Sequence, residues 1–109
     1  MEIPGGHQNK LWVCIYEMFG VALIVITVNW SVFLTNSFFN IQPIAVGVAL
    51  TIIVCIFGDV SGGHVNPAVT LGVYFSRKND MGKNFFFACS MILSQITGAV
   101  LGVLVVLMS

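Results

Sequence analysis

Charge is what this sequence has least of. Only 7% of its 109 residues are charged and the formal net charge is +0, against about 25% charged residues in ordinary soluble domains. Disordered chains, coiled coils and nucleic-acid binders all depend on charge that is missing here, so no nucleic-acid partner is expected. A water-soluble enzyme is disfavoured too, because there is too little polar surface to cover its fold. Cysteine is also sparse. Cys14, Cys55 and Cys89 are odd in number, widely spaced and set in apolar runs, with no CxxC pair. A disulfide framework or zinc site is therefore not expected, nor any cofactor, and the thiols read as small buried apolar groups.

What the chain has instead is apolar length: 58% of its residues are hydrophobic. Residues 11–34 form a run whose one charge is Glu17, and residues 85–108 form one with none. Each exceeds the roughly 20 apolar residues a spanning helix requires. A third run, residues 43–57, is shorter and reads as a span taken from about residue 39 to residue 60. The first run is too long for a signal-peptide core and lacks a basic leader and a cleavage site. Trp12, Tyr16 and Trp30 fall near its two ends, where interfacial anchors belong. Lys10 precedes the first span, and Arg77, Lys78 and Lys83 separate the second from the third. The link at 35–42 carries no charge. All four basic residues thus fall on one side, which predicts a cytoplasmic N-terminus and a short cytoplasmic tail at 1–9.

The informative stretch is GDVSGGHVNPAVTLGVYFS, residues 58–76. Gly62-Gly63 interrupts the second helix. Asn66 suits an N-cap and Pro67 the first helical position. The helix predicted over 67–76 is about 15 Å long, half of a ~30 Å hydrocarbon core. Arg77-Lys78 hold its far end at the surface. The expectation is a re-entrant loop and half-helix at 61–76 that dips to mid-membrane. Its extended backbone would survive there only against protein or a water-filled cavity. One half-span leaves the other half of the bilayer unfilled beneath it. Geometry therefore calls for an oppositely oriented counterpart, as in an inverted repeat. The fold class expected is an all-α membrane protein of three transmembrane helices plus a re-entrant half-helix.

Several residues admit more than one reading. Glu17, an acid inside a span, is by default a functional candidate. It shares a helical stripe with Gly20, Ile24, Thr27 and Ser31, and could belong to a proton relay or hold other groups in place. No second intramembrane acid or histidine chain supports a relay. Gln95 is either a pin for the loop or polar glue between helices. Gly98 and Gly102 form a GxxxG that suits a dimer face or close packing within the bundle. Gly47, Thr51, Cys55 and Gly58 give the second span a comparable seam. His64 lacks partners for a metal site, His7 being far away in the tail. Asp59 reads as a helix-end cap. A phosphate loop at 58–63 is excluded because the GKS/T ending is missing. Asn29-Trp30-Ser31 matches a glycosylation pattern but lies in or beside a span.

At SGGHVNPAVTLG, residues 61–72, the sequence resembles the aquaporin family, the major intrinsic proteins. Asn66-Pro67-Ala68 stands where that family carries its first Asn-Pro-Ala box. Glu17 with Gly20, and Gln95 with Gly98-Ala99, provide supporting matches. The resemblance runs over residues 10–109 and is to the family's N-terminal half, one of its two inverted repeats. It implies a passive channel, or a channel fragment, for water and small neutral solutes. The Asn66 carboxamide would offer donors to the solute, beside the positive end of the 67–76 helix dipole. Carbonyls of Gly62, Gly63, His64 and Val65 would form an acceptor ladder, with His64 lining the pore and Pro67 and Ala68 completing the box. Glu17 and Gln95 would hold the loop. Val46 would take one wall of the constriction, where the family usually has an aromatic or histidine, which implies a wider or more apolar passage. The family is generally tetrameric, so a homo-oligomer in a lipid bilayer is implied, or pairing with a complementary C-terminal half. The other reading is a non-conducting structural or regulatory half-channel that needs a partner chain. A self-complementing antiparallel dimer is disfavoured by the one-sided charge.

Overall fold

The computed structural model describes residues 10–76 and 81–109, with Lys83 described by its backbone alone. The tail at 1–9, with His7, and Arg77 and Lys78 lie outside the described residues. Four helices follow in order: α1 (Lys10–Leu34), α2 (Gln42–Ser61), α3 (Pro67–Ser76) and α4 (Met81–Met108). Three are long and apolar enough to cross a membrane, and α3 is the short apolar one.

The helix ends follow local chemistry. α2 begins at Gln42, a few residues after hydropathy starts the second span, because asparagines capture the backbone before it. Asn36 Oδ1 accepts the N–H groups of Phe38 and Phe39 at 2.9 and 2.8 Å, and Asn40 Oδ1 accepts that of Gln42 at 3.0 Å. Such side-chain acceptors offer the chain an alternative to the helix. α2 stops at Gly62, whose left-handed φ of 86° lets its N–H reach the Gly58 carbonyl, a C-cap that glycine adopts without steric cost. α3 opens as the sequence suggests: Asn66 Oδ1 accepts the Ala68 N–H at 2.8 Å, and Pro67 takes the first turn.

α1 and α4 lie side by side and parallel, in a register constant along their length. Lys10 Nζ sits 5.3 Å over the Phe87 ring, and Trp30 Nε1 donates to Ser109 Oγ at 3.4 Å. Between these ends, a Cβ on Gly98 would collide with the Met18 carbonyl, and one on Gly102 would lie 2.9 Å from the Ala22 oxygen. The two glycines of the GxxxG are thus used within the chain, where their bare backbones admit α1. α2 runs antiparallel to α1. Tyr16 stacks near Phe57 at 5.2 Å, and Gln42 Nε2 donates to the Val28 carbonyl at 3.1 Å. α3 packs along the first half of α4, with the Tyr74 hydroxyl donating to the Met81 carbonyl at 2.9 Å.

The buried core is thin and its periphery apolar. Val13, Phe87 and Met91 form one cluster, and Val21, Ile53 and Val65 another. On α2 only Ile53 and Ser61 are buried, while Ile44, Val48, Ile52 and Ile56 are exposed. So much contiguous apolar surface is sustainable only in lipid or against protein, and the chain is a multi-pass membrane protein. One reading changes. Gly47, Thr51 and Cys55 face outward on α2, so Cys55 is not a buried thiol. Asn29 sits inside α1 with its amide nitrogen on the Val25 carbonyl at 2.8 Å.

Gly20 marks where α1, α2 and the loop meet. A Cβ there would lie 2.5 Å from Val65 Cγ1 and 3.3 Å from Ile53 Cγ2. Gly20→Ala is expected to cost about 1–3 kcal/mol by overpacking, read as a lower unfolding midpoint in detergent. Gly47→Ala, with nothing within 4 Å of the added Cβ, leaves that midpoint unchanged or raised.

Candidate pore-loop site

Between α2 and α3 the chain has five residues, 62–66, to reverse and begin a new helix. Gly62 and Gly63 take φ of 86° and 66°, and Val65 takes 43°. Positive φ is ordinary for glycine but a true outlier for a β-branched residue. Something must hold Val65 there, and Glu17 does. The Val65 N–H donates to Glu17 Oε2 at 2.6 Å and the His64 N–H to Oε1 at 3.1 Å. The Val65 side chain fills the space left by Gly20, between Val21 and Ile53. The strain, of order 1–3 kcal/mol, is offset by two hydrogen bonds to the Glu17 carboxyl group and a buried isopropyl group.

Gln95 completes the clasp from α4. Its Nε2 donates to Glu17 Oε2 and to Thr70 Oγ1, both at 2.9 Å. Glu17 and Thr70 are 0% exposed and Gln95 1%. Gln95 Oε1 is buried with no partner among the described residues, a cost of about 1–3 kcal/mol that the two Nε2 bonds offset. Thr70 Oγ1 also meets His64 Nδ1 at 3.1 Å. The hydroxyl accepts from Gln95 and keeps both a proton and a second lone pair for the His64 ring nitrogen. A continuous chain of polar contacts therefore runs from α1 through α4 and α3 to the loop.

This clasp fixes where the half-helix begins. Gln95 lies at the middle of α4, about 21 Å from Met81 along the axis, while the other end of α3 sits at Met81 itself. α3 therefore covers one half of α4, and its N-terminus is held at mid-height of the bundle. There Asn66 is exposed, with Oδ1 engaged by the Ala68 N–H. Its Nδ2 hydrogens make no hydrogen bond among the described residues. Pro67 is half-buried and Ala68 exposed beside it. No hydrogen bond among the described residues engages the carbonyl oxygens of Gly62, Gly63 or Val65. Gly63 passes against α2, where a Cβ would come 3.4 Å from Val54 Cα.

The structure brings together Glu17, Gln95, His64 and Val65, with Gly62, Gly63 and Asn66-Pro67-Ala68 following from the same loop. It does not bring Val46 to them. Val46 is half-buried on α2 about two turns from Val54, toward the start of that helix. Asp59 is exposed in the last turn of α2. Sequence reasoning missed Thr70, the residue that joins Gln95 to His64. The available signal was its place four residues after Asn66 and four before Tyr74, one face of a helix. Among the described residues no group of three or more His, Cys, Asp or Glu could hold a metal ion.

Comparisons with known proteins agree on one family. The family model described as Major intrinsic protein matches residues 8–109. A probable aquaporin PIP2-7 of Oryza sativa subsp. japonica is 42% identical over 53 residues, which are 49% of this chain and 18% of that protein. Aquaporin-4 of Homo sapiens is 40% identical over 53 residues, 49% of this chain and 16% of that protein. A probable aquaporin PIP-type 7a of Pisum sativum is 38% identical over 49% of this chain and 18% of its own length. The aligned segment thus spans under a fifth of these relatives. No solved structure gives a significant match.

Proposed function

The chain belongs to the major intrinsic protein family, a family of membrane channels and not of enzymes, and from that premise we propose that it builds one half of a pore for water and small neutral solutes. The observation that carries this reading is the tip of α3. An exposed Asn66 carboxamide stands at a helix N-terminus that Glu17 and Gln95 hold at mid-height of the bundle. Because Oδ1 is committed to the cap, Nδ2 is the part of the side chain left to donate to a passing oxygen. The α3 dipole places partial positive charge at the same spot, which favours a solute oxygen and opposes a cation. The carbonyls of Gly62, Gly63, His64 and Val65 serve as the acceptors leading to it. Several weak, exchangeable hydrogen bonds suit rapid passage better than one strong site. Val46 forms an apolar part of the wall toward the other end of α2. Lys10 and Lys83 begin the parallel helices α1 and α4, so the positive-inside rule supports a cytoplasmic face at that end.

The opposite wall comes from a complementary repeat, on this or a partner chain. Val69, Leu71 and Phe75 of α3 are exposed, as is most of α2, and in a bilayer those faces meet protein or lipid. Tetrameric assembly, usual in the family, is proposed for the complete channel.

The test is osmotic shrinkage of vesicles holding the chain alone or co-reconstituted with a complementary C-terminal repeat. Asn66→Asp keeps an N-cap acceptor, so α3 persists, but it removes the Nδ2 donors and adds a charge. Its expected effect is a fall in water permeability of about tenfold or more, equivalent to one lost hydrogen bond. Permeability unchanged by Asn66→Asp would contradict the proposed role of the tip. Shrinkage no faster than that of empty vesicles in either combination would favour the non-conducting half-channel.

A further inference from the structure

At the end of the molecule remote from Lys10, the α1–α2 turn presents aromatic surface that the pore does not use. Phe38 is 99% exposed, and Phe33, Leu34 and Phe39 beside it are exposed as well. Leu107 and Met108 of α4 are exposed at the same end, which the contact between Trp30 and Ser109 brings alongside α1. An apolar crown of this kind needs an occupant, and three observations indicate which one.

First, the backbone of the turn is largely satisfied from within. Asn36 Oδ1 accepts from Phe38 and Phe39, the Asn36 N–H donates to the Phe39 carbonyl at 3.1 Å, and Asn40 Oδ1 takes the Gln42 N–H. The Thr35 hydroxyl donates to the Ser31 carbonyl at 3.0 Å, with Asn40 Oδ1 a second acceptor within reach at 3.1 Å. A turn destined for water has no need of such closure, whereas one leaving water must provide it. Second, no Asp, Glu, Lys or Arg occurs between Glu17 and Asp59, so neither an ion pair with a charged partner nor repulsion from one is available there. Third, the crown continues the apolar faces of α1, α2 and α4, through Trp30 and Ile44, and those faces already belong to the spanning surface.

We propose that the α1–α2 turn is a lipid-interface anchor, in which Phe38 and Phe39 insert among the headgroups and upper acyl chains of a zwitterionic or uncharged membrane surface. Asn36 organises the insertion by locking the turn that projects both rings. Aromatic side chains at span ends favour this boundary, and the self-bonded turn lowers the cost of taking its backbone there.

The test uses the whole chain with Phe38→Trp as its one tryptophan, Trp12 and Trp30 being replaced by Phe, in phosphatidylcholine vesicles. Phe38→Trp keeps the turn, because Asn36 binds the backbone N–H and not the ring. Bromine placed high on the acyl chains should lower Trp emission by roughly twofold relative to unbrominated lipid, more than bromine near the chain ends, and aqueous iodide should quench little. Phe39→Trp in the same background provides a second reporter should the first variant fold poorly. Strong iodide quenching with no bromine effect would leave the turn in water and overturn the proposal. Insensitivity to both quenchers would place the ring against protein and overturn it equally.

Discussion

Replacing Glu17 with alanine should free the 62–66 loop and collapse the start of α3. The Glu17 carboxyl group accepts the His64 and Val65 backbone N–H groups and one Gln95 N–H, in a site where it is 0% exposed. A buried donor left without its acceptor costs about 1–3 kcal/mol, so three of them amount to several kcal/mol. Val65 would then relax from its φ of 43°. Amide exchange at His64 and Val65 should rise by two or more orders of magnitude, since about 2.7 kcal/mol is a hundredfold. Glu17→Gln should fall between, because its single carbonyl oxygen still accepts while its amide nitrogen opposes a donor. Gln95→Ala should be milder still, leaving both backbone bonds to Glu17 in place. Loop exchange equally slow in Glu17→Ala and the parent protein would refute the clasp.

The second large effect belongs to Gly98. Its added Cβ would meet backbone, with the Met18 carbonyl carbon at 2.9 Å and its oxygen nearer still. A side chain could swing aside; a carbonyl in the middle of α1 cannot. Gly98→Ala should force α1 and α4 apart at their closest approach and cost about 3 kcal/mol. The bulkier Gly98→Val should prevent recovery of a folded species from detergent. Gly102→Ala, whose Cβ comes 2.9 Å from the Ala22 oxygen, should be less severe. Thermal unfolding followed by tryptophan emission ranks Gly98→Ala against Gly102→Ala, and equal midpoints for Gly98→Ala and Gly47→Ala would contradict the packing described.

Spans, break and half-helix were legible because each rests on a local rule. Apolar length gave the three long helices, Gly62-Gly63 gave the interruption, and Asn66-Pro67 gave a helix start that the Asn66–Ala68 bond realises. The structure places Glu17 against the loop backbone and Gln95 against Glu17, and the proposed holding of the loop rests on these contacts. What local rules could not supply was the partner across space. Nothing in the sequence marks Val65 for positive φ; that conformation exists because Glu17, forty-eight residues away, binds its N–H. Thr70 was passed over because a lone threonine in an apolar helix ordinarily bonds its own backbone. The small residues of α2 form a seam whose neighbour the pattern alone does not name, because small side chains suit any close approach. Asn36 and Asn40 delayed the start of α2 through side-chain bonds that hydropathy does not count.

If α3 lines a pore, it begins at mid-depth and ends at the membrane surface, and a depth measurement addresses that directly. Nitroxide labels on Ala68→Cys and Ser76→Cys, both exposed positions, in a background lacking Cys14, Cys55 and Cys89, can be compared for relaxation by lipid-soluble oxygen and water-soluble nickel chelate. Eight residues of helix separate them by about 12 Å. Position 68 should lie deeper than position 76 by about that distance, and with a complementary repeat present it should remain accessible to the chelate. Equal shallow depths at the two positions, as for a helix lying flat on the surface, would contradict that placement.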